Sequence, residues 1–322
     1  MIRRHRPMTA RPRSASAPPA FEGLPSTIRP YLRQSAFTDP GYWSDRFYDL
    51  PSDVPGLCHV VQGLIVHYRY PEDGATRIPP HRLQEINLRY TEAILGRAFD
   101  LDPRPLIDPR PANQRVVGCC RDFAVLFCAM ARHQGIPCRI RVGFSTYFRR
   151  VPVGFRSDHT IAEHWDRRAG HWTLVDPEMT EPTARANRLT FSPLNVPRSR
   201  FLVGGRAWVM CRDEGENPDS FGVGPQDGNR GLWFVRSRLL HDLAALNRRE
   251  MLLWDSWRAA GPKARLGERA LHELDQMAHD ISAQDVTETI AKRYFRTPRW
   301  RAPRRIECYS PVSRRFAATL RK

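Results

Sequence analysis

Two adjacent cysteines precede a run with the pattern of a buried helix in "RVVGCCRDFAVLF", residues 115–127. A cysteine becomes a nucleophile as the thiolate, and the N–H groups and partial positive charge at a helix start lower the pKa of its thiol. Cys120 stands at the expected helix start, whereas Cys119 lies one residue earlier, in the loop that follows Gly118. Position therefore favours Cys120 as the nucleophile and leaves Cys119 as its neighbour.

A cysteine nucleophile needs a base, normally histidine, and a group that orients the histidine. Two strand-like runs, "HTIAEHW" and "HWTLVDP", are joined by the turn "DRRAG" and predict an antiparallel hairpin. His159 lies at the start of the first run and Asp176 near the end of the second. Since paired strands place such positions near each other, this hairpin supplies a candidate base and a candidate orienting acid.

Local sequence patterns also predict the helices and strands that position these residues. Apolar spacing predicts a helix from about residue 120 to 134, ended by Gly135 and Pro137, and the run "CRIRVGFSTYF" predicts a strand after it. Upstream, "PPHRLQEINLRYTEAILGRAF" predicts a helix after its Pro-Pro start. Helical spacing returns over 262–298, and the last stretch is expected to be basic and irregular.

Composition limits the class of protein. The chain has 322 residues, 41% of them hydrophobic, and no apolar run long enough for a membrane-spanning helix. Its net charge of +17 comes almost wholly from arginines that are spread along the chain instead of forming a nucleic-acid-binding motif. The seven cysteines are odd in number and several lie in apolar segments, which favours a reducing cytoplasm.

Taken together, the three blocks "GCCRDFAVLFCAMARHQGIPCRIRVGF", "DHTIAEHW" and "HWTLVDPE" resemble the transglutaminase-like superfamily. The family's cysteine block is typically G-x-C-x-D-x-A, followed by a helix and G-I-P-x-R. The matching residues are Gly118, Cys120, Asp122, Ala124, Gly135, Ile136, Pro137 and Arg139. The histidine block departs from the frequent H-A-W-x-E, because Thr160 and Ile161 replace the small residue and the tryptophan. Further segments resemble a group of bacterial transglutaminase-like proteins over about residues 40–260.

The resemblance implies an α+β fold with a papain-like core, in which the cysteine-bearing helix packs on an antiparallel sheet, and with additional N- and C-terminal helices. It implies that Cys120 is the nucleophile, His159 the base and Asp176 the orienting acid. We expect a disordered basic arm over 1–20, a transglutaminase-like domain over 21–260 and a helical, basic C-terminal extension over 261–322.

Two residues are candidates for supporting roles. Gln114 is a candidate second donor to the oxyanion, beside the backbone N–H of Cys120, because papain-like folds often use a glutamine near there. The alternative, which the sequence favours, is a solvent-facing loop glutamine. Glu163 lies four residues after His159, so the two share a strand face, and it either supports the site or replaces Asp176 as the orienter. No cofactor and no metal are expected, since Cys119, Cys120, His159 and His164 do not follow a zinc-site spacing.

The predicted function is a cysteine enzyme that acts on a peptide or carboxamide bond through a thioester, with hydrolysis favoured over transfer to an amine. Its expected partners are a peptide, protein or carboxamide substrate and, for transfer, an amine acceptor. Neither a membrane nor nucleic acid is expected as a partner. The alternatives are a non-catalytic relative that binds proteins and, behind it, a basic nucleic-acid-binding protein.

Overall fold

The computed structural model describes residues 23–71, 76–283 and 285–321, and the predicted arm over 1–20 lies outside them. Within these ranges the chain forms eight α-helices and ten β-strands, and no helix is long and apolar enough to cross a membrane. The helices are α1 (Val54–Gln62), α2 (Thr91–Leu101), α3 (Cys120–His133), α4 (Glu181–Ala186), α5 (Gly204–Arg212), α6 (Leu232–Leu246), α7 (Glu268–Ser282) and α8 (Glu288–Phe295). The strands are β1 (Ile65–His67), β2 (Val116–Gly118), β3 (Cys138–Ser145), β4 (Arg156–Asp166), β5 (His171–Val175), β6 (Phe201–Val203), β7 (Phe221–Gly222), β8 (Asp255–Ser256), β9 (Arg305–Cys308) and β10 (Phe316–Thr319).

A five-stranded sheet forms the centre of the molecule. Strands β5, β4, β3 and β6 lie side by side in that order, each antiparallel to its neighbour, and the short β7 pairs in parallel with β4. The predicted hairpin is confirmed as β4 and β5, and its turn contains Gly170 with φ +69. The α+β fold class predicted from the sequence is therefore confirmed.

Helix α3 packs on one face of this sheet. The residues from Phe123 to Ala131 are all buried, and they share a hydrophobic cluster with alternating residues of β3 (Cys138, Ile140 and Val142). The helix ends before Gly135, whose φ of +72 is a left-handed value that glycine adopts without strain. This packing determines where the first turn of α3 meets the sheet.

Between those apolar positions, β3 carries two arginines that are completely buried. Arg139 and Arg141 donate to the carboxylate of Glu163 on β4 at 2.7 and 3.3 Å, and Arg198 also bonds to it. Arg141 in addition forms two hydrogen bonds, of 3.0 and 2.8 Å, to Asp242 on α6. Buried charges are tolerated when they are paired in this way, so the ion cluster joins the sheet to the helices on its other side.

The predicted upstream helix is divided in two. Residues Pro80–Asn87 form a 3-10 helix, and α2 begins only at Thr91. Between them the carbonyl of Arg89 accepts a hydrogen bond of 2.7 Å from Arg121 of α3, and the side chain of Arg89 bonds to the buried Asp255. These tertiary contacts hold residues 88–90 away from the helical conformation that periodicity predicts.

The helices predicted over 262–298 are observed as α7 and α8, but the expectation of an irregular C-terminal stretch is wrong. Strands β9 and β10 pair antiparallel, and β8 extends them to a three-stranded sheet. Ile306 and Cys308 alternate with more exposed residues, a strand pattern that the surrounding arginines obscure. One hydrophobic cluster contains both Leu240 and Trp300, so it crosses the predicted boundary at residue 260.

We predict that Glu163→Gln lowers the free energy of unfolding by about 3 kcal/mol or more, because the change leaves buried guanidinium groups without their carboxylate. Equilibrium unfolding in urea measures this. The matched control is Glu181→Gln, which removes an exposed i,i+4 pair with Arg185 and should barely move the midpoint. Equal midpoint shifts in the two variants would contradict the role given to the cluster.

Candidate active site

The first turn of α3 presents Cys120 at the point where β2 ends. Cys119 is the residue before the helix, and its N–H donates to Asp122 Oδ2 at 2.8 Å. The side chain of Asp122 thereby satisfies a donor at the helix start, as expected for an acid in the first turn. Because the first N–H groups of a helix have no acceptor within it, the backbone N–H of Cys120 is suited to bind an anion there.

Gly118 allows β2 to approach this turn. A Cβ atom added at residue 118 would lie 2.9 Å from Ile65 Cγ2 and 3.0 Å from Asp122 Oδ2. Real Cβ atoms do not come this close to such neighbours without displacing them. The glycine of the G-x-C-x-D pattern is thus required by the packing of β1 and β2 against the start of α3.

The β4–β5 hairpin places His159 and Asp176 together. Ala162 lies opposite Val175, and Asp176 follows Val175 directly, so the side chain of Asp176 reaches back to the imidazole. The distance from His159 Nε2 to Asp176 Oδ2 is 2.9 Å, and both side chains are buried. The sequence-based expectation that the hairpin brings these two residues together is met by this contact.

Asp176 accepts two further hydrogen bonds. The hydroxyl of Tyr147 donates to Oδ2 at 2.7 Å, and the backbone N–H of Glu178 donates to Oδ1 at 3.2 Å. Burial and the neighbouring charge of Asp176 raise the pKa of Tyr147 well above its ordinary value, so the hydroxyl keeps its proton. Tyr147 therefore fixes the carboxylate that contacts His159.

Cys120 and His159 meet at the edge of a cavity. Ligand atoms of Cys120, His159 and Glu178 all lie within 4.8 Å of one another. Burial lowers the pKa of His159, but the charge of Asp176 and the hydrogen bonds to Asp176 and Cys120 outweigh it and raise that pKa well above the ordinary value. This environment favours a protonated imidazole beside a thiolate.

The thiol of Cys119 also affects the pKa of Cys120. Its hydrogen bond to Cys120 and the contact with His159 together lower the pKa of Cys120 to about 6, although burial opposes the shift. The pKa of Cys119 itself is raised, first by that hydrogen bond and then by burial. The Cys119 thiol therefore keeps its proton and favours the thiolate form of Cys120, an effect that adjacency in the sequence did not reveal.

Of the two supporting candidates, Gln114 was expected to bind the oxyanion and Glu163 to support the site or to orient His159. Gln114 ends a short 3-10 helix and is not among the residues that line the cavity. Glu163 is occupied by Arg139, Arg141 and Arg198, whereas Asp176 is the acid that bonds to His159. Burial raises the pKa of Glu163, but the arginine charges outweigh it and lower that pKa to about 2.

Three residues at the site carried no prediction: Tyr147, Glu178 and His67. Glu178 stands two residues after Asp176 in "VDPE", and burial raises the pKa of its carboxyl to about 8. His67 Nε2 lies 4.0 Å from Glu178 Oε1. The sequence could have indicated Glu178, because its carboxyl group lies two residues after a candidate orienting acid. Nothing near Cys120 in the sequence indicates His67 or Tyr147.

The cavity has a volume of about 240 Å³ and is lined in part by Cys120, the candidate nucleophile. Its lining includes Cys120, His159 and Arg150 together with aromatic residues such as Trp233 and Trp254. Asp158 in its wall is held by two hydrogen bonds from Arg238, of 2.6 and 2.7 Å. The cavity therefore combines charged groups with aromatic side chains beside the candidate nucleophile.

Comparison with known protein families places this site in context. Residues 87–177 match the family model of the transglutaminase-like superfamily. The chain contains a transglutaminase-like domain. The matched range includes Cys120, His159 and Asp176.

The similarity to individual proteins is weaker than the match to the family model. No curated protein matches the chain. A solved structure described as a "Putative Cysteine Protease" from Cytophaga hutchinsonii is similar at 19% sequence identity with a TM-score of 0.31. The alignment covers 48% of this chain and 43% of that chain, so the present chain spans less than half of that structure.

The transglutaminase-like domain also has one group of residues that could hold a metal ion among those the structure describes. Cys120, His159 and Glu178 offer sulfur, nitrogen and oxygen donors of the kinds that zinc uses. The four residues weighed from the sequence are not this group, since Cys119 and His164 do not belong to it.

We predict that Cys119→Ala raises the pKa of Cys120, because it removes the S–H donor that stabilises the thiolate. Iodoacetamide alkylation of Cys120, measured against pH and mapped by mass spectrometry, should show the acidic midpoint near pH 6 in the wild type and higher in the variant. A rise of one pH unit would slow alkylation about threefold at pH 6.5.

Cys119→Ser is the matched control, because a hydroxyl still donates a hydrogen bond and should preserve most of the wild-type profile. Identical profiles for Cys119→Ala and the wild type would exclude the proposed donor.

Proposed function

We propose that the protein is a cysteine enzyme that cleaves a peptide or carboxamide bond through a thioester on Cys120. One observation carries this proposal: Cys120 stands at the start of α3 beside His159, whose Nε2 bonds to Asp176 at 2.9 Å, at the edge of a cavity. The transglutaminase-like family match supports a cysteine enzyme in general. The reaction and the residue roles below are our proposal.

In the first half of the reaction the thiolate of Cys120 attacks the carbonyl carbon, and the C–S bond forms. The negative charge moves to the carbonyl oxygen, where the N–H of Cys120 at the helix start can bind it. The tetrahedral intermediate then expels the amine as the C–N bond breaks, and His159 gives that nitrogen its proton. Asp176 keeps the imidazole oriented and stabilises its charged form.

In the second half a nucleophile attacks the thioester. Water gives a carboxylic acid, and a primary amine gives a new amide; in either case His159 takes the proton as the C–S bond breaks. We propose hydrolysis as the main outcome, because water is always present at the site, whereas an amine has to be bound before it can compete. A reducing, cytoplasmic setting is part of the same proposal, based on the odd number of unpaired cysteines.

The substrate experiment is a screen of glutamine-containing peptides, with and without an added primary amine, analysed by mass spectrometry. Free-acid products identify a hydrolase, and amine-linked products identify a transferase. Cys120→Ala should remove all turnover that the screen finds. Turnover that survives in Cys120→Ala would contradict the assignment of the nucleophile.

We predict that Asp176→Asn lowers kcat/KM by about 100-fold or more, because the imidazole loses the carboxylate that orients it and stabilises its positive charge. The wild-type pH profile should rise through the pKa of Cys120 near 6, as the thiolate forms, and fall at higher pH as His159 loses its proton. Glu181→Gln, which changes an exposed acid, serves as the comparison and should keep the wild-type kcat/KM. An Asp176→Asn enzyme with wild-type kcat/KM would contradict the role of Asp176.

A further inference from the structure

Glu178 faces the reacting atoms, yet the mechanism above does not use it. Its Oε2 atom is 4.0 Å from His159 Nδ1, and the side chain is 12% exposed. That oxygen is buried without a hydrogen-bond partner among the described residues. Its backbone N–H donates to Asp176 at 3.2 Å, which ties the residue to the same carboxylate that orients His159.

A second histidine, His67, lies on the other side of the Glu178 carboxyl group. The Nδ1 atom of His67 accepts the backbone N–H groups of Arg69 and Tyr70, both at 3.1 Å. The remaining hydrogen of neutral His67 is therefore on Nε2, which lies 4.0 Å from Glu178 Oε1. This leaves Oε2 as the oxygen that faces the space between Glu178 and His159.

We infer that Glu178 binds the nitrogen side of the scissile bond: the amine that leaves during acylation and, in the reverse direction, an amine that attacks the thioester in competition with water. The inference rests on the proposed function and adds to it a subsite for an N–H-bearing group. In the amine reaction the nitrogen forms a bond to the acyl carbon, the C–S bond breaks, the thiolate leaves, and the displaced proton passes to His159.

The distance between Glu178 and His159 allows one nitrogen atom to form hydrogen bonds to both side chains at once. A hydrogen bond to nitrogen or oxygen spans about 2.9 Å, so an atom that bonds to two groups at once requires them to be less than about 6 Å apart. Glu178 Oε2 and His159 Nδ1 meet this condition at 4.0 Å. The sulfur of Cys120 lies within 4.8 Å of both side chains, so an acyl carbon on that sulfur would be next to the same position.

The carboxyl group of Glu178 is suited to bind a nitrogen that carries hydrogens and is not suited to bind the oxyanion. An amide or amine nitrogen carries hydrogens that need acceptors, and a carboxyl oxygen supplies one. The oxyanion needs donors, which the start of α3 provides. The leaving nitrogen receives its proton from His159, so it must pass on the side of the imidazole where Glu178 lies.

The test uses p-nitrophenyl acetate as the acyl donor and ethylamine as the acceptor, with and without EDTA. A burst of p-nitrophenolate reports acylation of Cys120, since a phenolate leaves without an N–H contact. The ratio of N-ethylacetamide to acetate, measured by NMR, reports which nucleophile reaches the thioester. Glu178→Ala should keep the burst rate within about twofold and lower that ratio about tenfold, the effect of one lost hydrogen bond.

Two variants separate a role at the subsite from a structural one. Glu178→Gln keeps an oxygen acceptor and should recover part of the ratio, whereas Glu181→Ala, three residues further on and exposed, should leave both measurements unchanged. The inference is overturned if Glu178→Ala leaves the ratio of N-ethylacetamide to acetate unchanged. It is also overturned if this variant slows the p-nitrophenolate burst as much as it slows aminolysis. A wild-type burst that EDTA abolishes also overturns it, in favour of a metal held by Cys120, His159 and Glu178. Absence of any wild-type burst overturns the proposed function and this inference with it.

Discussion

The pairing register of β4 with β5 is the constraint on which the candidate active site depends. A strand that slips by one residue turns every side chain to the opposite face, so the contact between His159 and Asp176 exists in only one register. The register is maintained by buried pairs such as Ala162 opposite Val175 and by the tight turn at Gly170. The 2.9 Å hydrogen bond of the imidazole is thus a consequence of sheet packing along the whole hairpin.

The position of Cys120 depends on a second constraint, the burial of α3. Its apolar residues join a cluster with β3, and Gly118 lets β2 pack directly against the first turn. The helix start then lies where its free N–H groups, the Cys119 thiol and His159 surround one sulfur atom. Each of these neighbours stabilises negative charge on that sulfur and lowers the pKa of Cys120 to about 6, whereas burial and the charge of Asp176 raise the pKa of the Cys58 thiol.

Arginine has a structural role that the net charge does not suggest. Arg110, Arg121, Arg139 and Arg141 are among the largest fully buried side chains of the described structure. Arg121 bonds to backbone carbonyls of Arg89 and Glu250, and Arg139 and Arg141 meet in the ion cluster around Glu163. The planar guanidinium, with five donors, suits such sites, where one side chain joins several segments. Part of the chain's positive charge is therefore used inside the protein and is not presented to a partner.

The sequence by itself determined the elements whose signals are local. The helix at 120–133, its glycine stop and the β4–β5 hairpin follow from apolar period and turn residues, and the G-x-C-x-D spacing set Cys120 apart from Cys119. Only the tertiary structure decided which acid contacts His159, because Glu163 and Asp176 are both suitable in sequence and their partners come from distant segments. It also decided that Tyr147, His67 and Glu178 lie at the site and that the C-terminal stretch pairs as strands. Such contacts depend on the register and packing of segments far apart in the chain, and no local pattern of residues encodes them.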